Sequence, residues 1–219
     1  MARAAFFDLD KTILDTSSNV ALSGPFIEAG LMTRRTAIAS VLVQLPYLLA
    51  GADESRMEQM AEAMGRMGRG WNAAFLEATV EDALERTIAP VCYAQALRRI
   101  AYHKSIGDVV VIASASVEEV VRPIATMLGA DEVLASKAAV DDDGCFTGEV
   151  IHFNQAQGKA DACAQLARMR GWDLSQCSAY SDSVSDAPLL RLVGHPYAVN
   201  PDRALREMAE REGWPTLTF

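Results

Sequence analysis

The chain is poor in the residues that build sulfur or imidazole metal centres. It has three histidines and four cysteines, and Cys92, Cys145, Cys163 and Cys177 show neither metal-ligand nor redox spacing. That scatter argues against a zinc scaffold or a disulfide framework. It predicts reduced, partly buried thiols in a cytoplasmic protein. Basic residues are in the minority: 20 Lys and Arg face 29 Asp and Glu, a formal charge of −9. Nucleic acid needs a basic surface, so no nucleic-acid partner is expected. An anionic substrate must then be attracted locally, against the overall field. Long apolar runs are missing too. The most apolar stretch, Ala37 to Ala50, is too short to span a bilayer and contains Gln44 and Pro46. It predicts a buried helix and no stable membrane insertion, with contact at a membrane surface as the rival reading. Arg3 precedes the first apolar run where a secretory leader would be apolar, so no signal peptide is expected. Internal repeats, low-complexity linkers, a Walker A loop, H-E-x-x-H and a nucleophile-elbow serine are all lacking.

What is present begins at once. Ala4-Ala5-Phe6-Phe7 is a short unbroken apolar run, as in a strand buried on both faces of a parallel sheet. It leads into Asp8-Leu9-Asp10-Lys11-Thr12. Ligands of open parallel sheets bind beyond the carboxyl ends of the strands, which is where Asp8 and Asp10 fall. Two carboxylates so close repel unless a cation or a proton joins them. The pair therefore reads as a divalent-metal site, an acid/base pair, or both.

At 219 residues, half of them hydrophobic, the chain suits one mid-sized domain or a core with an insertion. From Ser17 to Ala89 no convincing strand is visible. Good helix formers dominate there, with Met57, Met60, Met64 and Met67 on one helical face. Breaks are expected near Gly30, between Pro46 and Gly51, and at Gly68-Arg69-Gly70. Val91 to Lys104 reads as a helix, and Val109 to Ala113 as a second buried strand. Glu118 to Leu128 reads as a helix despite Pro123. Asp141-Asp142-Asp143-Gly144 predicts the turn of a β-hairpin between Val133 and Ile151, since Asp-Gly is a strong hairpin signal. The same acids do not fit an EF-hand calcium loop. Ala160 to Arg170 is helical, Tyr197 to Val199 a last strand, and Pro201 to Glu212 a last helix.

Asp8-Leu9-Asp10-Lys11-Thr12 resembles the first motif of the haloacid dehalogenase-like (HAD) phosphatases. The other three motifs follow in order. Ser114-Ala115-Ser116 closes the Val109 strand as the second. Lys159, after Gly158, stands as the third. Ser181-Asp182-Ser183-Val184-Ser185-Asp186 is similar to the fourth. The similarity is strongest to the subgroup that holds phosphoserine and histidinol-phosphate phosphatases, and the tail Gly194 to Asp202 shares it. The resemblance implies a Rossmann-like α/β fold, a doubly wound parallel sheet, with an inserted all-helical cap. Residues 1–15 and 89–219 would form the core and 16–88 the cap.

The resemblance also implies roles, and each residue type suits its own. Asp8 would be the nucleophile, forming an aspartyl-phosphate. Asp10 would protonate the leaving alkoxide and then deprotonate water. Asp182, an Asp8 oxygen and the Asp10 carbonyl would hold Mg²⁺. Ser183 and Asp186 would stand behind the metal acid, Asp186 near the ion or orienting Lys159. Ser114 and the backbone at Ala115 would bind the phosphoryl group, with Ser114 also able to cap the helix that follows. Lys159 would offset the charge of Asp8 and the phosphoryl oxygens. Arg66 and Arg69 either reach a second anionic group of the substrate or are solvated helix-end charges. His103 is isolated and has no assigned role.

Two departures bear on substrate. Phosphoserine phosphatases place an amine-reading glutamate shortly after the first motif; the matching position here is Ser17. The fourth motif lacks the usual glycines. The expected activity is therefore Mg²⁺-dependent hydrolysis of a small soluble phosphomonoester other than phosphoserine, with a less charged or more apolar body suggested by the methionines. Phosphoserine itself is the alternative substrate. Two other classes compete: a non-catalytic phospho-acceptor, which would carry its aspartate after other strands, and a membrane-associated regulator built around Ala37 to Ala50.

Overall fold

The computed structural model describes residues 3–35, 59, 62–63 and 65–219. Ala37 to Ala50, the Pro46-to-Gly51 break, Met57, Met60 and Met64 lie outside the described residues.

The apolar run at the start forms β1 (Ala4–Phe7), buried throughout. It lies inside a seven-stranded sheet with β2 (Val109–Val117), β3 (Glu132–Val140), β4 (Phe146–His152), β5 (Ser178–Ser181), β6 (His195–Val199) and β7 (Thr216–Leu217). The order is β4-β3-β2-β1-β5-β6-β7. All neighbours are parallel except β3 and β4, which pair antiparallel. The chain winds from β1 outward through β2 and β3, then crosses to β5 on the other side. That reversal makes the crevice beside β1 the switch point where doubly wound sheets bind ligands.

Strand alternation splits the core into two halves. Ala5, Phe7, Val110 and Ile112 face α5 (Glu118–Met127) and the helices between β1 and β2. Ala4, Phe6, Val111 and Ala113 face α6 (Ala156–Arg170), α7 (Ala187–Leu192) and α8 (Arg203–Glu212). With about 25 cal/mol per Å² of apolar surface removed from water, both faces stabilise β1 as a central strand.

Between β1 and β2 the described residues contain helices and no strand of the sheet. These are α1 (Ser18–Ala21), α2 (Ser23–Glu28), α3 (Ala73–Ala83) and α4 (Ala94–Ser105). Gly30 and Gly70 turn with positive φ, +75° and +83°, so two of the expected breaks fall at glycines in left-handed turns. Leu76, Val80 and Ala83 of α3 pack into the same core as Ile112, Val120 and Ile124. Ile13 to Asp15 runs beside Val91 to Tyr93: Asp15 N–H donates to the Val91 carbonyl at 2.8 Å and Tyr93 N–H to that of Ile13 at 2.8 Å.

Several boundaries differ from the sequence expectation. α4 begins at Ala94 because Ala89–Val91 forms a 3₁₀ turn carrying Pro90. α8 begins at Arg203, capped by the Asp202 side chain on Leu205 N–H at 2.7 Å. The hairpin forms as expected, with Gly144 at φ +74° and Asp141 Oδ1 accepting from Asp143 and Cys145 N–H. All four cysteines are free. Among the described residues no helix is long and apolar enough to cross a membrane.

Candidate active site

Phe7 pairs with Ile112 on one side and Tyr180 on the other. Asp8 therefore leaves β1 level with the chain running into Ser114 and into Asp182. Its N–H still bonds to the Tyr180 carbonyl at 2.9 Å, which fixes the residue at the sheet edge. Beyond it Lys11 adopts φ +60°, and Ile13 and Leu14 N–H both return to the Leu9 carbonyl at 3.0 Å. This tight turn lifts Asp10 over the edge, where its Oδ1 accepts from Ser18 N–H at 2.7 Å.

α6 delivers the lysine. Its inward stripe is Lys159, Ala160, Cys163, Leu166 and Ala167, the spacing of a helix lying on a sheet. Lys159 tops that stripe and is 2 % exposed. Its Nζ donates to Asp8 Oδ1 and Asp186 Oδ2, both at 2.8 Å. Asp186 Oδ2 also accepts from Ser181 Oγ at 2.8 Å, while its Oδ1 is buried and has no partner among the described residues. Gly158 is required beside the lysine, since a Cβ there would sit 2.7 Å from the Phe153 carbonyl oxygen.

The fourth-motif loop follows β5. Asp182 is half-buried; its Oδ1 accepts from Thr12 Oγ1 at 3.4 Å, and its carbonyl accepts from Asp202 N–H at 2.8 Å. Ser183 Oγ accepts from Ser185 N–H at 3.3 Å and so shapes the loop. Asp8, Lys159, Asp182 and Asp186 are thus one cluster drawn from three elements.

Burial disfavours charge on the acids. Asp8 is pushed up from the ordinary carboxylate range by burial and by Asp186, with Lys159 pulling the other way. Asp182 is pushed up by burial and then by Asp8 and Asp186. Asp10 is raised by burial, opposed by its bonds from Ser18. Burial also works against the Lys159 ammonium, but Asp186 and Asp8 outweigh it and hold the proton more tightly than usual. One lysine cannot neutralise Asp8, Asp182 and Asp186 together. A hard cation among the oxygens of Asp8 and Asp182 would favour their ionised forms. Among the described residues no group of three or more His, Cys, Asp or Glu side chains is arranged to cage an ion. Asp8 and Asp182 bring together carboxylate oxygens of the kind a hard divalent cation takes.

Ser114 lies at a break in β2. The β2–β3 register shifts between Ala113 and Val117, so the strand bulges through Ser114-Ala115-Ser116 and continues to Val117. Bulges of this kind re-aim side chains beside active sites. Ser114 Oγ accepts from Ser116 N–H at 3.2 Å. It does not cap α5, whose cap position is Val117. Two residues that the sequence did not single out hold the bulge. Asn154, fully buried, donates to the carbonyls of Ser114 and Leu134 at 2.9 Å, and Ser136 Oγ donates to the Ala115 carbonyl at 2.7 Å. Ser18 was also missed: its hydroxyl meets Ser116 Oγ at 3.1 Å, linking the Asp10 loop to the bulge. These partners are far apart in sequence and carried no local signal.

Ser17, at the amine-reading position, spends its side chain capping α1 on Val20 N–H. Arg66 is exposed and pairs with Glu62 at 3.2 Å; Arg69 is exposed, with its stem against Gly148. Neither lies in the acid–lysine cluster.

Residues 5–191 match the model of the haloacid dehalogenase-like hydrolases. The chain is 46 % identical over 216 residues to the inhibition of morphological differentiation protein of Streptomyces azureus, covering 99 % of this chain and 78 % of that one. A probable phosphatase of Mycobacterium tuberculosis is 45 % identical over 216 residues, 99 % and 75 % of the two chains. A phosphoserine phosphatase of the same organism is 32 % identical over 229 aligned positions, 100 % and 71 %. A crystal structure of a protein of unknown function from Bordetella pertussis superposes with a TM-score of 0.85 at 28 % identity, covering 99 % and 98 %. The chain belongs to the haloacid dehalogenase-like hydrolase family and stands among its phosphatases.

Proposed function

We propose that this phosphatase is a Mg²⁺-dependent phosphomonoester hydrolase that works through an aspartyl-phosphate on Asp8 and acts on a small soluble metabolite in the cytoplasm. The observation that carries the reading is Lys159 Nζ, buried and 2.8 Å from both Asp8 and Asp186. A lysine so placed holds the Asp8 carboxylate in one orientation and keeps positive charge where a phosphoryl group would arrive.

In this reading a carboxylate oxygen of Asp8 attacks phosphorus, and the bond from phosphorus to the alcohol oxygen breaks. Asp10, whose acid form burial favours, gives its proton to the departing oxygen. Asp10 then takes a proton from water, whose oxygen attacks the acyl phosphate and returns Asp8 and inorganic phosphate. Ser114 Oγ and the backbone at Ala115 bind phosphoryl oxygens on the bulge. Asp186 holds Lys159, and Ser183 shapes the loop behind Asp182. The side chains of Asp8 and Asp182 and the Asp10 carbonyl would hold Mg²⁺, which when bound supplies positive charge against the phosphoryl oxygens. Residues 1–15 and 89–219 form the core in this scheme and 16–88 the cap. The pairing of Ile13–Asp15 with Val91–Tyr93 supports that division.

Asp8→Asn tests the reading. The replacement is nearly isosteric but a poor nucleophile. The expected outcome is loss of aryl phosphate hydrolysis with an unchanged circular dichroism spectrum. A pure variant keeping more than about a tenth of wild-type kcat would remove Asp8 from the chemistry.

A further inference from the structure

The helical segments after β1 and the β3–β4 hairpin line a half-open cavity of about 130 Å³. Its wall is apolar, with Phe26, Trp71, Val117, Val120, Phe146 and Val150 contributing from both sides. No Asp or Glu lines it among the described residues, and Lys137 is the one charged lining residue among them. That lysine is already partnered by Glu118 Oε2 at 3.5 Å. Ser116 and Asn19 also line the cavity. Ser116 lies two hydrogen bonds from Asp10, through the Ser18 hydroxyl at 3.1 Å and the Ser18 N–H at 2.7 Å. Asp10 does not itself line the cavity; Ser116 and Ser18 link the wall to the acid assigned to the leaving group.

A close seam forms one part of the wall. A Cβ on Gly65 would lie 2.1 Å from the Gly148 carbonyl oxygen, and Gly148 itself has φ +90°. Only glycine fits both positions without displacing backbone. The helical stretch at Gly65 and the hairpin strand β4 therefore meet backbone to backbone beside the apolar cavity.

Resting on the phosphatase reading, we propose that the alcohol half of the substrate is an apolar body that fills this cavity, a single ring or a chain of about six carbons. The size follows from the volume, since an apolar cavity of about 150 Å³ takes up benzene. The chemistry follows from the lining. A buried ammonium would find no carboxylate among the described lining residues, and an unpaired charge in such a site is strongly rejected. An apolar group gains by leaving water. The amino-acid end of phosphoserine is thereby excluded for a reason independent of Ser17.

Binding and turnover are read separately. Calorimetry with methyl-, propyl- and hexylphosphonate in Mg²⁺ buffer is expected to show affinity rising roughly fourfold per methylene. Val150→Asp on the wall and Gly65→Ala at the seam are each expected to flatten that rise at least tenfold between methyl and hexyl. Equal affinity for the three phosphonates in the wild type overturns the proposal. Steady-state rates on the matching alkyl phosphates and L-phosphoserine form the second arm, with hexyl phosphate expected at least tenfold above phosphoserine in kcat/KM. Phosphoserine as the best substrate also overturns it. Chain-dependent binding with no turnover of any ester would leave the cavity assignment standing and remove the phosphatase reading. Turnover without dependence on chain length would do the reverse.

Discussion

Asp10 shows how a single position can be tuned by its surroundings. Burial raises its pKa, while the Ser18 N–H at 2.7 Å holds its carboxyl in place. A raised pKa means that the acid form persists further toward neutrality and is lost as pH rises through the folded value. Hydrolysis of alkyl phosphates, whose alkoxide must be protonated as it leaves, should fall over that rise. Aryl phosphates, whose phenolate leaves unaided, should be less sensitive in the first step. Asp10→Asn should slow alkyl phosphates by about 10²–10⁴-fold. On an aryl phosphate the same variant should release about one phenol per site quickly and then stall, since water is no longer activated. Rapid-quench kinetics would read this burst. Equal losses on both ester classes, with no burst, would mean that Asp10 is not the proton donor.

At the scale of elements, the strands were legible where burial is two-sided. β1 and the first half of β2 are near-continuous apolar runs, and the Asp-Gly turn marked the hairpin. β7 was not legible because two residues make no pattern. The four motif acids and Lys159 were legible because each follows a strand or starts a helix. Ser18, Ser136 and Asn154 were not, since they act across 98, 21 and 40 residues of sequence. His103 was passed over for the same reason. It lies near the end of α4, where Nδ1 meets Asp108 Oδ2 and Nε2 meets the Tyr180 hydroxyl, each at 2.8 Å. Tyr180 in turn stacks between Phe7 and Tyr197, with Arg99 over its ring and that of Tyr197. The chain Arg3–Asp108–His103–Tyr180 thus ties α4 to the strands that carry Asp8 and Asp182. Burial lowers the His103 pKa despite the bond to Asp108. The unfolded chain then takes up a proton first as pH falls below 6.5, and folding stability is lost from there down through the folded value. Melting temperatures between pH 7.5 and 5 should fall more steeply in the wild type than in His103→Gln. Parallel slopes would show that His103 does not titrate in folding.

The molecule as a whole places a surplus of negative charge where its ligand is also negative. The net charge is −9, and Asp8, Asp10, Asp182 and Asp186 crowd one crevice with Lys159. The parallel sheet dictates this, because β1 and β5 discharge their loops at the same edge. Without a cation the raised carboxylates oppose folding once ionised. Their contribution is fully present below the unfolded value of 3.8 and is lost as pH rises through the raised folded values of Asp8 and Asp182. A bound cation reverses that sign, since it prefers the ionised acids and competes with their protons. Mg²⁺ should therefore raise the melting temperature, and the rise should grow from pH 5 to pH 8. At a hundred times its dissociation constant a ligand stabilises by about 2.7 kcal/mol. For a chain of this length that corresponds to a rise of roughly 5–10 °C. Asp182→Asn should remove most of the shift while keeping the fold, because it takes away one of the two carboxylates assigned to the ion. Scanning calorimetry at pH 5 and pH 8, with EDTA and with Mg²⁺, separates the outcomes. A shift equal at both pH values, or undiminished in Asp182→Asn, would place the ion elsewhere on the molecule and leave the acid cluster held by Lys159 and protons alone.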